Sequence, residues 1–333
     1  MTDRPWLRAP RAFPRLSRAL QELRSSRLFD PTSTPLRRLV WRRLGMDAVL
    51  VVGAVLVVLR LGNAFPWTLP TTDMHAYWTS RDALNYDQFG PFMIGAYLYS
   101  PAFAHAIAPL TALNWPTFAG VWTAILFVAL GWLAGRWSLL LLLFSVAVPL
   151  ELMLGQVDIL IAAAIVVGFR YPAAWALPLL TKVAPGVGLL WFVFRREWGK
   201  LLLALSATAA IAIVSALIAP TEWRGWLTLL VRSFGEPQPV LWSYLAVPEA
   251  MRLPIAIAIL WWGARTDRYW TVPFAVTLAM PILWANIACI LLGCIPLTRV
   301  FGMTPARAWL FGEHGERVPS GSVARPGERS PAT

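Results

Sequence analysis

An ionisable side chain in or beside a long apolar run is costly, so it is kept for a structural or a chemical reason. Five such residues stand out in this sequence: Asp73, Glu151, Asp158, Lys182 and Arg232. Lys182 lies inside an apolar run. Its compact ammonium suits a phosphate oxygen, such as that of a lipid-linked phosphate at a membrane surface. Snorkelling, or pairing with Asp158, accounts for it equally well. Asp158 follows Gly155-Gln156-Val157 and is suited to partner that cation or to bind a hydroxyl. Gln156 carries both donors and an acceptor, the complement of sugar hydroxyls. Glu151 and Asp158 flank the tight turn Leu154-Gly155-Gln156. Asp73 sits in Thr71-Thr72-Asp73-Met74-His75-Ala76-Tyr77-Trp78, where a solvated carboxylate among interfacial aromatics is the simplest account. His105, in an apolar stretch, fits a satisfied interfacial histidine better than a catalytic group.

The elements that must carry these residues follow from composition. The chain has 333 residues, 58% of them hydrophobic and only 14% charged, against about 25% charged for a soluble domain. Charge gathers at the two ends and in short gaps between apolar runs, the pattern of a polytopic, all-α membrane protein. The net charge of +12 is concentrated in arginines from Arg4 to Arg43, ahead of the first apolar run. Anionic lipid attracts such a segment and the charge rule holds it in the cytoplasm, so nucleic acid is not expected as a partner. Cys289 and Cys294 share one apolar run and make no disulfide framework. The basic stretch is too long for a cleavable signal, and no small-residue cleavage site follows Met46–Leu61. Neither a hydrolase triad, nor a metal-ligand spacing, nor a phosphate-cradling glycine loop is legible, so no metal and no ATP-driven transport is expected.

Hydropathy and cation placement divide the chain into a basic cytoplasmic segment 1–45, a membrane domain 46–298 and a cytoplasmic tail 299–333. Leu16, Ala19, Leu20 and Leu23 recur at helical spacing, so the first segment either lies flat on the inner leaflet or is a disordered arm. About ten crossings are expected, with both termini inside. Met46–Leu61 enters from the cytoplasm, with Arg60 snorkelling at its outer end. Residues 63–97 and 220–250 form outer segments, and Pro101–Leu113 an interfacial helix. Trp115–Leu133, Ser138–Leu152, Val157–Phe169, Leu201–Ile218, Leu253–Trp262 and the pair Val272–Met280/Leu283–Ile295 are spans. Pro172–Phe194 reads either as one helix or as a hairpin broken at Lys182–Pro185; the hairpin returns Arg195, Arg196 and Lys200 to the cytoplasm and is preferred.

Three segments, in order, resemble glycosyltransferase family 87 of the GT-C superfamily, whose members use polyprenyl-phosphate sugars. Asp73-Met74-His75-Ala76-Tyr77-Trp78 is similar to the family's acidic motif after the first span. Tyr97-Leu98-Tyr99-Ser100-Pro101 with Pro109-Leu110 is similar to its Tyr-x-Tyr-Pro-Pro and Pro-Leu segment, with Ser100 in place of the first proline. Gly155-Gln156-Val157-Asp158, followed by Lys182-Val183-Ala184-Pro185 and the basic turn Arg195-Arg196-Glu197-Trp198, resembles its Gly-Gln-x-Asn and Lys-x-x-Pro pair, with Asp158 where Asn is usual. The resemblance implies an extracytoplasmic active site in a GT-C bundle. Asp73 would act as general base, Lys182 with Arg232 would hold the donor phosphate, and Tyr77, Tyr99, Gln156, Asp158 and His105 would contact sugar or acceptor. It implies inverting transfer, most simply of mannose with arabinose next, from a polyprenyl-phosphate sugar to a glycolipid or glycan, among membrane lipids and without a cofactor. A lipid or solute transporter and a non-catalytic assembly subunit share the apolar spans; the absence of a repeat between the two halves argues against the former.

Overall fold

The computed structural model describes residues 35–61, 73–88, 93, 95–235 and 247–312. The helical periodicity of Leu16–Leu23 and the end of the tail lie outside them. Residues 1–44 and 45–333 separate as two compact units, and the second holds every element described below apart from the first helix, α1 (Pro35–Leu61), which begins before the boundary. All regular structure among the described residues is helical, as apolar runs require where the backbone must satisfy its own hydrogen bonds.

After α1 comes a seven-residue helix, α2 (Asp73–Thr79), then α3 (Pro101–Thr111) and the long α4 (Trp115–Ala134). Asn114 caps α4, its side chain accepting from Thr117 N, with proline in the first turn. A 310 turn leads into α5 (Ser138–Phe144). Then α6 (Ala147–Leu154) and α7 (Asp158–Gly168) meet at 106° across the Gly155 turn. The next apolar stretch is in two limbs, as the preferred reading had it. Pro172–Thr181 closes with α8 (Ala176–Thr181), the chain leaves helix at Lys182, and Ala184–Phe194 closes with α9 (Leu190–Phe194). The remaining elements are α10 (Trp198–Ile218), α11 (Pro220–Gly235), α12 (Glu249–Arg265), α13 (Thr271–Leu278), a 310 helix Ala285–Gly293, α14 (Cys294–Leu297) and α15 (Pro305–Phe311).

Among the described residues two helical stretches, Trp115–Phe144 and Trp198–Ile218, are long and apolar enough to cross a bilayer, and the bent α6–α7 pair would make a third. Pro172–Thr181, Ala184–Phe194 and Ala285–Leu297 are shorter apolar helices. Along α10 only Ala204 and Ser215 are buried. Leu202, Leu205, Ile211, Val214, Leu217 and Ile218 face outward, an apolar surface too extensive for water and natural against lipid.

Ring contacts fix which helix ends lie together. Phe169, just past α7, meets Trp191 of α9 and Tyr269 before α13, with centroids 5.8 and 5.1 Å apart. Arg195 donates to Ala264 O and Asp267 Oδ1. Arg170 donates to Trp309 O. The chain therefore runs from Asp158 down to Phe169, back up to Lys182 and down again to Arg195. One end of the bundle gathers Arg170, Arg195, Arg265 and Arg268; the other holds Asp158 and Lys182.

Three buried arginines stitch broken helices together. Arg60, expected to snorkel outward, instead turns inward and is 2% exposed. It donates to Thr123 Oγ1 and to the carbonyls of Leu152 and Met153 at the end of α6. Arg252 serves Leu278, Met280 and Pro281 O after α13, and Arg307 serves Pro296 and Thr298 O after α14. Each break leaves helix-end carbonyls without partners, and a guanidinium's forked donors satisfy several of them at once where no water reaches.

Candidate functional site

The site is built around the Gly155 turn. Gly155 adopts a left-handed conformation (φ 68°) and closes α6 by donating to Glu151 O at 2.8 Å. A Cβ there would stand 2.5 Å from Met74 Cβ, so glycine is needed both for the turn and for the approach of α2. Trp122 of α4 donates to Gly155 O at 2.7 Å, and Arg60 holds the carbonyls of Leu152 and Met153. The turn is thus pinned from three elements, and it presents Gln156 beneath Asp73.

Asp73 opens α2 and is partly exposed. The Gln156 side chain lies within reach of its carboxylate and favours its charged form. Gln156 Oε1 in turn accepts from Tyr99 Oη at 2.9 Å and lies 3.3 Å from Tyr77 Oη, which donates to Tyr99 Oη at 2.8 Å. With its oxygen occupied by phenols, the amide of Gln156 has its nitrogen for the carboxylate. Burial raises the Asp73 pKa above the ordinary aspartate value; the Gln156 amide and the Lys182 charge oppose that rise, and the Asp158 charge adds to it. Asp73 lies outside the spanning helices, so the shift reflects the packing of α2 against the turn.

Tyr77 and Tyr99, expected to touch sugar, are 0% and 7% exposed. They sit behind Gln156 in a ring cluster with Tyr97, Phe103 and Trp122. Their hydroxyls orient the glutamine rather than face an opening.

On the other side of the turn Lys182 Nζ donates to Asp158 Oδ1 at 2.5 Å, with the lysine side chain 17% exposed and the aspartate fully buried. Asn286, in the 310 helix Ala285–Gly293, bridges Asp158 Oδ2 (3.0 Å) and Glu151 Oε2 (3.3 Å) through Nδ2. Ile159 N donates to Glu151 Oε1 at 3.1 Å. Of the two accounts of Lys182 that rest on structure alone, the pairing is the one found, and the partly exposed ammonium faces the same turn as Asp73.

Ser100 fixes the strand of chain leading to Lys182. Its N–H and its hydroxyl both donate to Leu180 O, at 3.3 and 2.6 Å. A proline, usual in the motif that Ser100 interrupts, could make neither bond. Arg232 Nη2 reaches Tyr86 O at 3.5 Å, and Tyr86 Oη donates to Tyr99 O at 2.6 Å, so Arg232 lies one residue removed from the phenol pair. His105 points elsewhere: its Nδ1 is 2.9 Å from Ser215 Oγ of α10, which also accepts from Trp223 Nε1.

The structure therefore joins Asp73, Gln156, Asp158 and Lys182 around one turn, places Tyr77 and Tyr99 in support, and leaves His105 apart. Sequence reasoning missed Asn286 and misjudged Arg60. Asn286 had a readable signal, a lone amide in the apolar run Leu283–Ile295. Among the described residues no cluster of three or more His, Cys, Asp or Glu side chains is disposed to hold a metal.

Comparison with known proteins gives one result. The family model described as "Glycosyltransferase family 87" matches residues 97–310, which include Gln156, Asp158, Lys182 and Asn286 and begin after Asp73. No curated protein matches, and no solved structure matches.

Proposed function

The chain belongs to glycosyltransferase family 87, and from that premise we propose that it transfers a sugar from a polyprenyl-phosphate donor to a cell-envelope glycolipid or glycan, with Asp73 as general base and Lys182 at the donor phosphate. The observation that carries the reading is the single turn, Gly155–Asp158, that brings a partly exposed carboxylate and a partly exposed ammonium within each other's field. A displacement at an anomeric carbon needs those two groups at its two ends.

In the proposed step the acceptor hydroxyl gives its proton to the Asp73 carboxylate as its oxygen forms a bond to the anomeric carbon. The bond from that carbon to the phosphate oxygen breaks, and the polyprenyl phosphate leaves with the electron pair. Attack opposite the leaving group inverts configuration. Lys182 meets the charge that grows on the phosphate, where stabilisation counts most. Gln156 keeps Asp73 aimed, and the elevated pKa of that carboxylate makes it a stronger proton acceptor than a solvated aspartate. Arg232 supports the phosphate from the outer segment.

Mannose is the sugar we assign, with arabinose as the competing donor. The cation-rich end of the bundle reads as cytoplasmic by the charge rule, which puts the turn on the outer side of a multi-pass plasma-membrane protein of about ten crossings, several of them made of paired short helices.

The test is transfer in membranes supplied with labelled polyprenyl-phosphate mannose or arabinose and a lipid extract. Asp73→Asn keeps the shape but removes the base. It should reduce transfer by about a hundredfold or more, with unchanged amounts of folded protein. Full activity in the Asn variant would remove the general-base assignment.

A further inference from the structure

Resting on the proposed role of Lys182, we propose that Asn286, braced by Glu151, is a positioning residue that holds Asp158 so that the Lys182 ammonium faces the donor phosphate. Four buried oxygens carry the argument. Glu151 Oε1 accepts from Ile159 N and Oε2 from Asn286; Asp158 Oδ1 accepts from Lys182 and Oδ2 from Asn286. Each carboxylate oxygen thus has a donor, with Asn286 Nδ2 serving two of the four, and the plane of Asp158 is set from both sides.

The carboxylates are wholly buried and Asn286 is 4% exposed. Two carboxyl groups so close, with one ammonium between them and solvent, are costly to charge together in a low dielectric, and the amide between them gives each a hydrogen-bond donor. Asp158 occupies one of the three donors of the ammonium. The other two are what phosphate oxygens would take, and their direction depends on where Asp158 sits. Asn286 comes from near the end of the chain and Lys182 from the break between the limbs that close with α8 and α9. The 310 helix Ala285–Gly293 therefore supplies the donor side with a polar side chain, while Asp73 and Gln156 are held by other residues. Loss of Asn286 should be felt at the donor and not at the acceptor.

The experiment measures binding of a short-chain polyprenyl monophosphate to the purified full-length protein, together with KM for donor and for acceptor. It compares wild type, Asn286→Ala, Lys182→Ala and the double variant. Asn286→Ala is expected to weaken binding and raise donor KM by about tenfold, leaving acceptor KM unchanged. The double variant should be no worse than Lys182→Ala, since the two act through one group. If Asn286→Ala does not fold, Asn286→Ser, which keeps a short donor, is read in the same way. Wild-type binding that the Asn286 variant retains in full, equal rises in both KM values, or losses that multiply in the double variant would each overturn the proposal. Wild-type protein that binds no polyprenyl phosphate fails differently: it removes the phosphate role of Lys182, and this inference with it.

Discussion

Asp73 is poised by a glutamine whose own oxygen is held by two phenols. That arrangement has a pH signature. Burial raises the carboxylate's pKa and the Gln156 amide restrains the rise. The proposed base would work only when ionised, so activity should fall as pH drops through a pKa above that of a solvated aspartate. Gln156→Leu removes a group that favours the charged form, so the acid limb of the pH–rate profile should move to still higher pH. An acid limb unchanged in that variant would show that Gln156 does not touch the working carboxylate. Lys182→Ala should raise KM for the donor more than KM for the acceptor. It should also lower the melting temperature, because Asp158 is left as a buried charge without its counter-ion. Unchanged donor dependence would make the lysine purely structural. The types of these side chains were readable from sequence because charges beside apolar runs are few. Of their partners, the Asp158–Lys182 pair was readable too; the rest were not, since nothing in Tyr77, Tyr99 or Asn286 as isolated letters says that one amide lies on the phenols and another between two carboxylates.

At the scale of elements, the turns decide more than the helices. Gly155→Ala combines left-handed strain with a Cβ driven onto Met74, and should cost more than about 2 kcal/mol, read as a fall in melting temperature with transfer lost. Ser100→Pro, which restores the proline usual in the resembled motif, removes two hydrogen bonds to Leu180 O and should destabilise by about 1–3 kcal/mol. A neutral result would mean the backbone readily finds another donor. Pro185 and the cations at Arg195 and Arg196 made the break at Lys182 legible, because one long helix would have put those cations on the wrong side. The sharp bend between α6 and α7 was legible only as a turn: hydropathy reports depth and says nothing of angle. Arg60 was misread for the same reason. A terminal arginine on a span snorkels unless a neighbouring helix offers bare carbonyls, and those carbonyls belong to a segment some ninety residues away.

For the whole molecule, composition carried the helical class and the membrane setting, and it could do so because both follow from average polarity. The number of crossings follows instead from how short helices pair. The distribution of cations between the two ends makes a direct prediction about sidedness. In a background lacking Cys289 and Cys294, a thiol introduced at Tyr171, beside Arg170, should react only with reagent on the cytoplasmic side. One at Asp82, past α2, should react from outside. The reverse pattern would turn the proposed site to face the cytoplasm. The clasp of Arg60 on the end of α6 bears on how this chain can be handled. The recognisable family region starts at Tyr97, and it is tempting to express that portion alone. Such a fragment would lack the carboxylate at position 73, and equally the guanidinium that closes the exposed carbonyls ahead of Gly155. Its central turn would be free to unwind, and inactivity of the truncated protein would say nothing about the chemistry of the intact one.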